Sequence, residues 1–164
     1  MSKAFTSEET PEPVAPAREL PRLRPGELRY VTPEGQAALR AELARLSAPG
    51  AAPAASDDER TQRAVYLERL LAILTVLGPE GVPEGEVGFG TWVVLEDEEG
   101  RRRTWRIVGP DEADARTGAV SALAPLGQAL LGRSAGETVE VERPDGTREY
   151  TIVEVSRSAP ARSP

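Results

Sequence analysis

The chain contains no cysteine and no histidine. Without thiols there is no disulfide framework and no sulfur nucleophile. Without imidazole there is no Ser-His-Asp triad and no Cys/His zinc site. Aromatic residues make up only 4 % of the 164 residues, so a core has to be mostly aliphatic. No run approaches the ~20 apolar residues that cross a bilayer. The start, Met-Ser-Lys-Ala-Phe-Thr-Ser-Glu-Glu, lacks the apolar stretch of a secretory leader. The expectation is a cytoplasmic protein with no membrane contact. Bases are in deficit, 20 Lys+Arg against 27 Asp+Glu, for a net charge of −7. Wholesale duplex binding needs a basic face that releases counterions, so direct sequence-specific nucleic-acid binding is not expected.

What is present divides the chain into four parts. Residues 1–29 carry Pro11, Pro13, Pro16, Pro21 and Pro25 with little apolar material between them, the composition of a disordered tail. Residues 30–78 read as two helices. Thr32-Pro33-Glu34 combines an N-cap, a proline at the first helical position and an acid in the first turn. Leu39, Leu43 and Leu46 then share a face, and Ala48-Pro49-Gly50 stops the helix. The linker 48–56 is rich in Ala, Pro and Gly. Ser56 is a second N-cap candidate, with Asp57, Asp58 and Glu59 in the first turn after it. Leu67, Leu70, Leu74 and Leu77 follow a 3-4-3 spacing, so the second helix is expected over about residues 57–77, with a coiled-coil seam. Joined by a short connection, the two helices are expected to pair antiparallel as a hairpin.

Residues 79–155 hold 16 acids and 8 bases and read as strands. Thr91–Leu95 and Thr104–Val108 flank a polar connection. Ala119–Leu123 is a third strand. Pro125–Leu131 is a short helix closed by Gly132. Thr138–Glu142 and Arg148–Val155 are joined across Pro144-Asp145-Gly146. The fold class is therefore α+β: a helical hairpin followed by a mostly antiparallel β domain with one short helix. Residues 156–164 form a second tail. Trp92 and Trp105 are expected to be core residues of neighbouring strands. Arg101-Arg102-Arg103, the one basic cluster, is expected to be a solvated turn whose field the adjacent acids cancel.

Several of these segments resemble the GreA/GreB family of bacterial transcription elongation factors. The carrying residues are Gly88-Phe89-Gly90-Thr91, then Trp105-Arg106-Ile107-Val108-Gly109-Pro110-Asp111-Glu112-Ala113-Asp114. They continue with Ala124-Pro125-Leu126-Gly127-Gln128-Ala129-Leu130-Leu131-Gly132 and Gly136-Glu137-Thr138-Val139. Tyr30-Val31-Thr32-Pro33-Glu34-Gly35 resembles the family's opening helix. The resemblance implies an N-terminal coiled coil and a C-terminal domain of FKBP-like fold. It implies a partner, core RNA polymerase, with the C-terminal domain docking at the rim of the secondary channel. It also implies a docking surface that includes Asp111, Glu112, Asp114, Pro125 and Leu126, of which Pro125 and Leu126 also read as helix packing.

In cleavage-competent members, acids at the coil tip lie in a Gly-Asp-x-x-Glu-Asn-x-Glu-Tyr motif and help hold a second magnesium in the polymerase active site. That motif is absent here. The nearest acids, Asp57, Asp58 and Glu59, form no Asp-x-x-Glu pair, and complementing a helix N-terminus is their ordinary role. The expectation is a monomeric, non-cleaving regulator with no catalytic residue, no metal site and no cofactor of its own. It stands nearest to the short-coil sub-type typified by the regulator of nucleoside diphosphate kinase. Two alternatives stay open. One is a cleavage factor whose Asp57, Asp58 and Glu59 serve the polymerase's magnesium. The other is a peptidyl-prolyl isomerase, on fold analogy alone.

Overall fold

The computed structural model describes residues 18–50 and 57–161. The first seventeen residues, the expected N-cap at Ser56 and most of the linker before it lie outside that range. The described residues form three helices and two sheets. In chain order these are β1 (Arg29–Val31), α1 (Pro33–Ser47), α2 (Asp57–Ile73), β2 (Leu74–Val76), β3 (Trp92–Asp97), β4 (Arg102–Val108), β5 (Ala119–Ser121), α3 (Pro125–Leu130), β6 (Thr138–Arg143) and β7 (Gly146–Ser156). No helix among them is long and apolar enough to cross a membrane.

α1 starts where its sequence says it should. Thr32 is extended, with φ −71° and ψ 157°, and its hydroxyl accepts from the Gly35 amide at 3.0 Å. Pro33 then occupies a position whose N–H has no helical partner anyway. After Ser47 the Ala48 amide donates back to the Arg45 carbonyl, and Gly50 turns the chain at φ +78°. α1 and α2 pack together over Val31, Leu39, Leu67 and Leu70, with Leu20, Leu43, Leu46, Tyr66 and Leu74 around them. Arg63 on α2 clasps Glu42 on α1 through Nε–Oε1 at 2.8 Å and Nη2–Oε2 at 3.0 Å. The guanidinium holds the Glu42 carboxyl below its ordinary range, against the opposing effect of burial.

The second helix is shorter than its leucine spacing predicts. It ends at Ile73, and Leu74–Val76 become a strand that pairs parallel with β1. Val31 faces Val76, and the Leu77 amide donates to the Val31 carbonyl at 2.9 Å. The reason is tertiary. The chain entering α1 has unpaired backbone groups that the chain leaving α2 can satisfy, and Thr75 and Val76 are β-branched residues that suit a strand. Leu67 and Leu70 are buried, Leu74 is half-buried in the strand, and Leu77 is 39 % exposed. The expected seam therefore stops one turn early. Leu20 extends the same cluster from within the segment expected to be a free tail.

The second sheet runs in the order β5-β4-β3-β7-β6. Its pairs are antiparallel except β4–β5, which are parallel. A mostly antiparallel domain was the expectation, and one parallel pair among four is compatible with it. The ten residues between β4 and β5, with a 3-10 turn at Ala115–Thr117, carry the chain back so that the short β5 pairs only with the last three residues of β4. Alternation along β3 buries Val93 and Leu95 against Ile107, Val139, Val141 and Ile152, and α3 closes this core with Leu126 and Leu130. Trp105 packs at the margin of that core. Trp92 points to the other face, where the Arg106 guanidinium covers its ring at 5.1 Å. The expectation that both tryptophans are core residues thus holds for one margin only.

Replacing Leu70, 2 % exposed, with alanine is expected to cost about 2–5 kcal/mol in chemical denaturation. Leu77→Ala is expected to stay within about 0.5 kcal/mol. Equal losses at the two positions would mean that α2 continues through residue 77.

Candidate functional site

Three of the segments that carry the resemblance, residues 30–35, 88–91 and 105–114, meet at one place, the junction between the α1–α2 pair and the five-stranded sheet. The Glu112 carboxylate lies at its centre. It accepts from the Thr32 amide at 2.6 Å, from the Thr32 hydroxyl, and from the Gly109 amide at 3.2 Å. An acid from the sheet unit thus sits on the N-terminus of α1, where free amides and the helix dipole favour negative charge. Two glycines make this approach possible. A Cβ on Gly35 would fall on the Glu112 carboxylate, and one on Gly109 would fall on the Tyr30 carbonyl. Here glycine is required by close packing, with no special backbone angle involved.

Two ion pairs flank the central carboxylate. Arg29 on β1 meets Asp111 through two bonds, Nε–Oδ2 at 2.5 Å and Nη2–Oδ1 at 3.0 Å. The Asp111 side chain is 7 % exposed, and its bond raises the Arg29 guanidinium further above its ordinary value, against the cost of burial. Arg106 on β4 reaches Glu34 in the first turn of α1 at 2.9 Å, with Trp92 beneath it. The Glu34 carboxyl is held below its ordinary range by its own backbone amide first and by Arg106 next, with burial opposing. Tyr30 and Phe89 add a tilted ring contact at 5.9 Å between centroids. The Thr91 hydroxyl closes the Gly88–Thr91 turn that presents Phe89, donating to the Gly88 carbonyl at 2.7 Å and accepting from the Gly88 amide.

The residues expected at a docking surface fall into three environments. Asp111 and Glu112 are engaged inside the chain, in the junction. Asp114 caps a short 3-10 turn at Ala115–Thr117 by accepting from the Arg116 amide at 3.0 Å, and Arg116 holds its carboxyl below the ordinary range. Pro125 is exposed at the start of α3, while Leu126 is buried in the sheet core. Ala124, the N-cap of α3, makes no side-chain cap bond. The apolar groups that α3 leaves open are its flanks: Leu123, 64 % exposed, and Leu131. Sequence reading placed Leu131 at the end of the short helix and did not single out Leu123. Leu123 was placed at the end of a strand, whereas β5 stops at Ser121.

Asp57, Asp58 and Glu59 lie exposed in the first turn of α2, far along the chain from the junction. Arg60 approaches Asp57 at 3.5 Å, and the Thr61 hydroxyl bonds to the Asp57 carbonyl. Among the described residues no group of three or more carboxylates is arranged to hold a metal ion.

Comparison with known proteins places these motifs in context. The family model described as "Transcription elongation factor, GreA/GreB, C-term" matches residues 82–157. A transcription elongation factor GreB from Pseudomonas aeruginosa is 35 % identical over 148 residues, covering 76 % of this chain and 88 % of that protein. A GreA from Neisseria meningitidis serogroup A is 43 % identical over 91 residues. That alignment covers 54 % of this chain and 58 % of the relative, so it spans little more than half the relative's length. A solved GreA/GreB structure from Nitrosomonas europaea is 29 % identical, covering 79 % of this chain and 98 % of that one, with a TM-score of 0.42.

The junction gives a sign-reversal test. Glu112→Ala removes charge-assisted bonds and is expected to cost about 1.5–3 kcal/mol. Alanine ordinarily gains about 0.8–1.0 kcal/mol over glycine inside a helix. Gly35→Ala is nevertheless expected to destabilise the protein, because it expels the Glu112 carboxylate. In the Glu112→Ala background the same change is expected to stabilise it. A double-mutant cycle from denaturation curves reads both signs, and the same sign in both backgrounds would remove Glu112 as the reason for glycine at residue 35.

Proposed function

The chain belongs to the GreA/GreB family of transcription elongation factors, and on that premise we propose that it binds core RNA polymerase through its C-terminal sheet unit and regulates transcription there without promoting transcript cleavage. The observation that carries the binding half is position. The family match and the motif residues from Gly88 onward fall within residues 82–157, which form one sheet with its own core. This unit is the FKBP-like domain of the reading, and α1 and α2 are its helical hairpin. The contact surface on this reading is the exposed part of the α3 region, Pro125 with Leu123 and Leu131. Asp111 and Glu112 act from inside, by fixing how the hairpin leaves the sheet.

The non-cleaving half rests on the tip. Holding a magnesium in a partner's active site needs carboxylate oxygens at fixed positions. The family's acid motif is missing from this sequence, and Asp57, Asp58 and Glu59 stand where a helix start favours acids for its own sake. Reach argues the same way. At ~1.5 Å per residue, α1 spans about 22 Å and α2, ending at Ile73, about 26 Å. No cofactor of its own is required for such a role.

The test uses the full chain and core polymerase. Co-purification is expected, and Leu123→Asp is expected to weaken it strongly, since a charge placed in an apolar contact is left unpaired. In a backtracked complex with magnesium the protein is expected to give no added cleavage. The triple variant Asp57→Ala, Asp58→Ala, Glu59→Ala is expected to behave as the parent does. Strong cleavage lost in the triple variant would make those acids functional and overturn the non-cleaving reading. Absence of binding by a folded chain would overturn the docking reading.

A further inference from the structure

Charge in the sheet unit is distributed unevenly. Residues 79–155 hold 16 acids and 8 bases. Four of those eight bases, Arg101, Arg102, Arg103 and Arg143, line a single cleft of about 370 Å³ at the end of the sheet where the β3–β4 and β6–β7 turns lie, together with Leu95, Asp97, Trp105 and Tyr150. The volume lies within the range of small-molecule sites. None of its lining residues belongs to the junction or to α3.

The four arginines are not equivalent. Arg101 is paired with Asp97 and Glu99, and Arg102 with Glu96. Among the described residues, Arg103 and Arg143 make no ion pair. The Arg103 guanidinium lies 4.0 Å above the Trp105 ring, and its edge donates to the Ala115 carbonyl. Ring and carbonyl together fix its plane, leaving the outer face open in an exposed residue. Arg143 lies over the Tyr150 ring at 5.9 Å, with its donor fork uncommitted. The cleft thus holds one flat cationic platform and one free bidentate donor above two aromatic rings.

We propose that this cleft binds a compact organic anion that joins a planar ring to a phosphate, of the nucleoside monophosphate class, with the ring stacked on the Arg103 guanidinium and the phosphate held by Arg143. Arginine does both jobs well: its plane stacks on rings and its fork fits a phosphate. The surroundings select for size. Glu96, Glu98, Glu99, Glu142 and Glu149 crowd the same turns, so an extended polyanion meets like charge outside the cleft within a Debye length. A single phosphate on Arg143 presents the least charge to the neighbouring Asp97, Glu98, Glu99 and Glu149.

The probe is adenosine monophosphate added to the full chain, followed by the indole N–H signals of the two tryptophans in a nitrogen-correlated NMR spectrum. The Trp105 signal is expected to move saturably, while the Trp92 signal, under Arg106 on the other face, stays in place. Adenosine alone and inorganic phosphate alone are expected to bind more weakly. Arg143→Gln is expected to weaken binding of the nucleotide about tenfold or more, the loss of one charged hydrogen-bonding partner. Arg103→Lys keeps the charge but not the plane, and is expected to reduce the preference for the nucleotide over phosphate. Both side chains are exposed, and an otherwise unchanged spectrum verifies folding of each variant. A still Trp105 signal, equal shifts at both tryptophans, or unaltered binding by Arg143→Gln would overturn the assignment. So would tighter binding of a uridine decamer than of the mononucleotide, which would make the cleft a nucleic-acid contact.

Discussion

One carboxylate ties the two halves of this protein together. Glu112 leaves the loop after β4, crosses to the start of α1 and takes up the amide and hydroxyl of Thr32. Helix capping is normally local, a side chain bonding two or three residues ahead. Here the local cap is present as well, because Thr32 still accepts from the Gly35 amide. The threonine hydroxyl is a relay, receiving one bond and giving another. The order of the first turn of α1 and the seating of the helix pair on the sheet are consequently one property. Gly35 and Gly109 follow from it, since each gives up a side chain so that the two backbones can close on the same carboxylate.

The junction also explains how so acidic a chain manages its arginines. Arg29, Arg63 and Arg106 each join segments far apart in sequence, to Asp111, Glu42 and Glu34. These pairs are partly shielded and geometrically constrained, the first two being bidentate, which sets them apart from the exposed pairs of the β3–β4 turn. Charge used in this way is unavailable to a partner. What the sheet unit offers outward includes an apolar patch around α3 and a cationic cleft under Arg103 and Arg143. A protein that recognises another protein by one face and a small anion at another would be organised on these lines.

Much of the plan was legible from local pattern. The start of α1 was written in Thr32-Pro33-Glu34, and its end at Ser47 was marked by the Ala-Pro-Gly that follows. The five strands of the large sheet were visible because β-branched and aromatic residues alternate between polar turns. The family was legible because several motifs occur in order. The junction was not legible, however: Asp111 and Glu112 were expected at a docking surface, since nothing in a linear string says that Gly-Pro-Asp-Glu and Thr-Pro-Glu-Gly touch.

The sequence by itself determined the start of α1, the short helix α3 and the five strands of the large sheet, where aliphatic faces lie, and that no imidazole or thiol chemistry is available. Tertiary structure alone decided three things. α2 stops at Ile73 because β1 needs a partner strand, although the leucine spacing would carry a helix to Leu77. Trp92, on the face of β3 opposite Val93 and Leu95, is covered there by Arg106, which Glu34 of α1 engages across the junction. Asp111 and Glu112 turn inward because Arg29 and the start of α1, respectively, are brought within hydrogen-bonding distance of them. In each case the deciding group comes from a distant part of the chain, and a periodicity read within one segment carries no information about a partner that folding alone brings near.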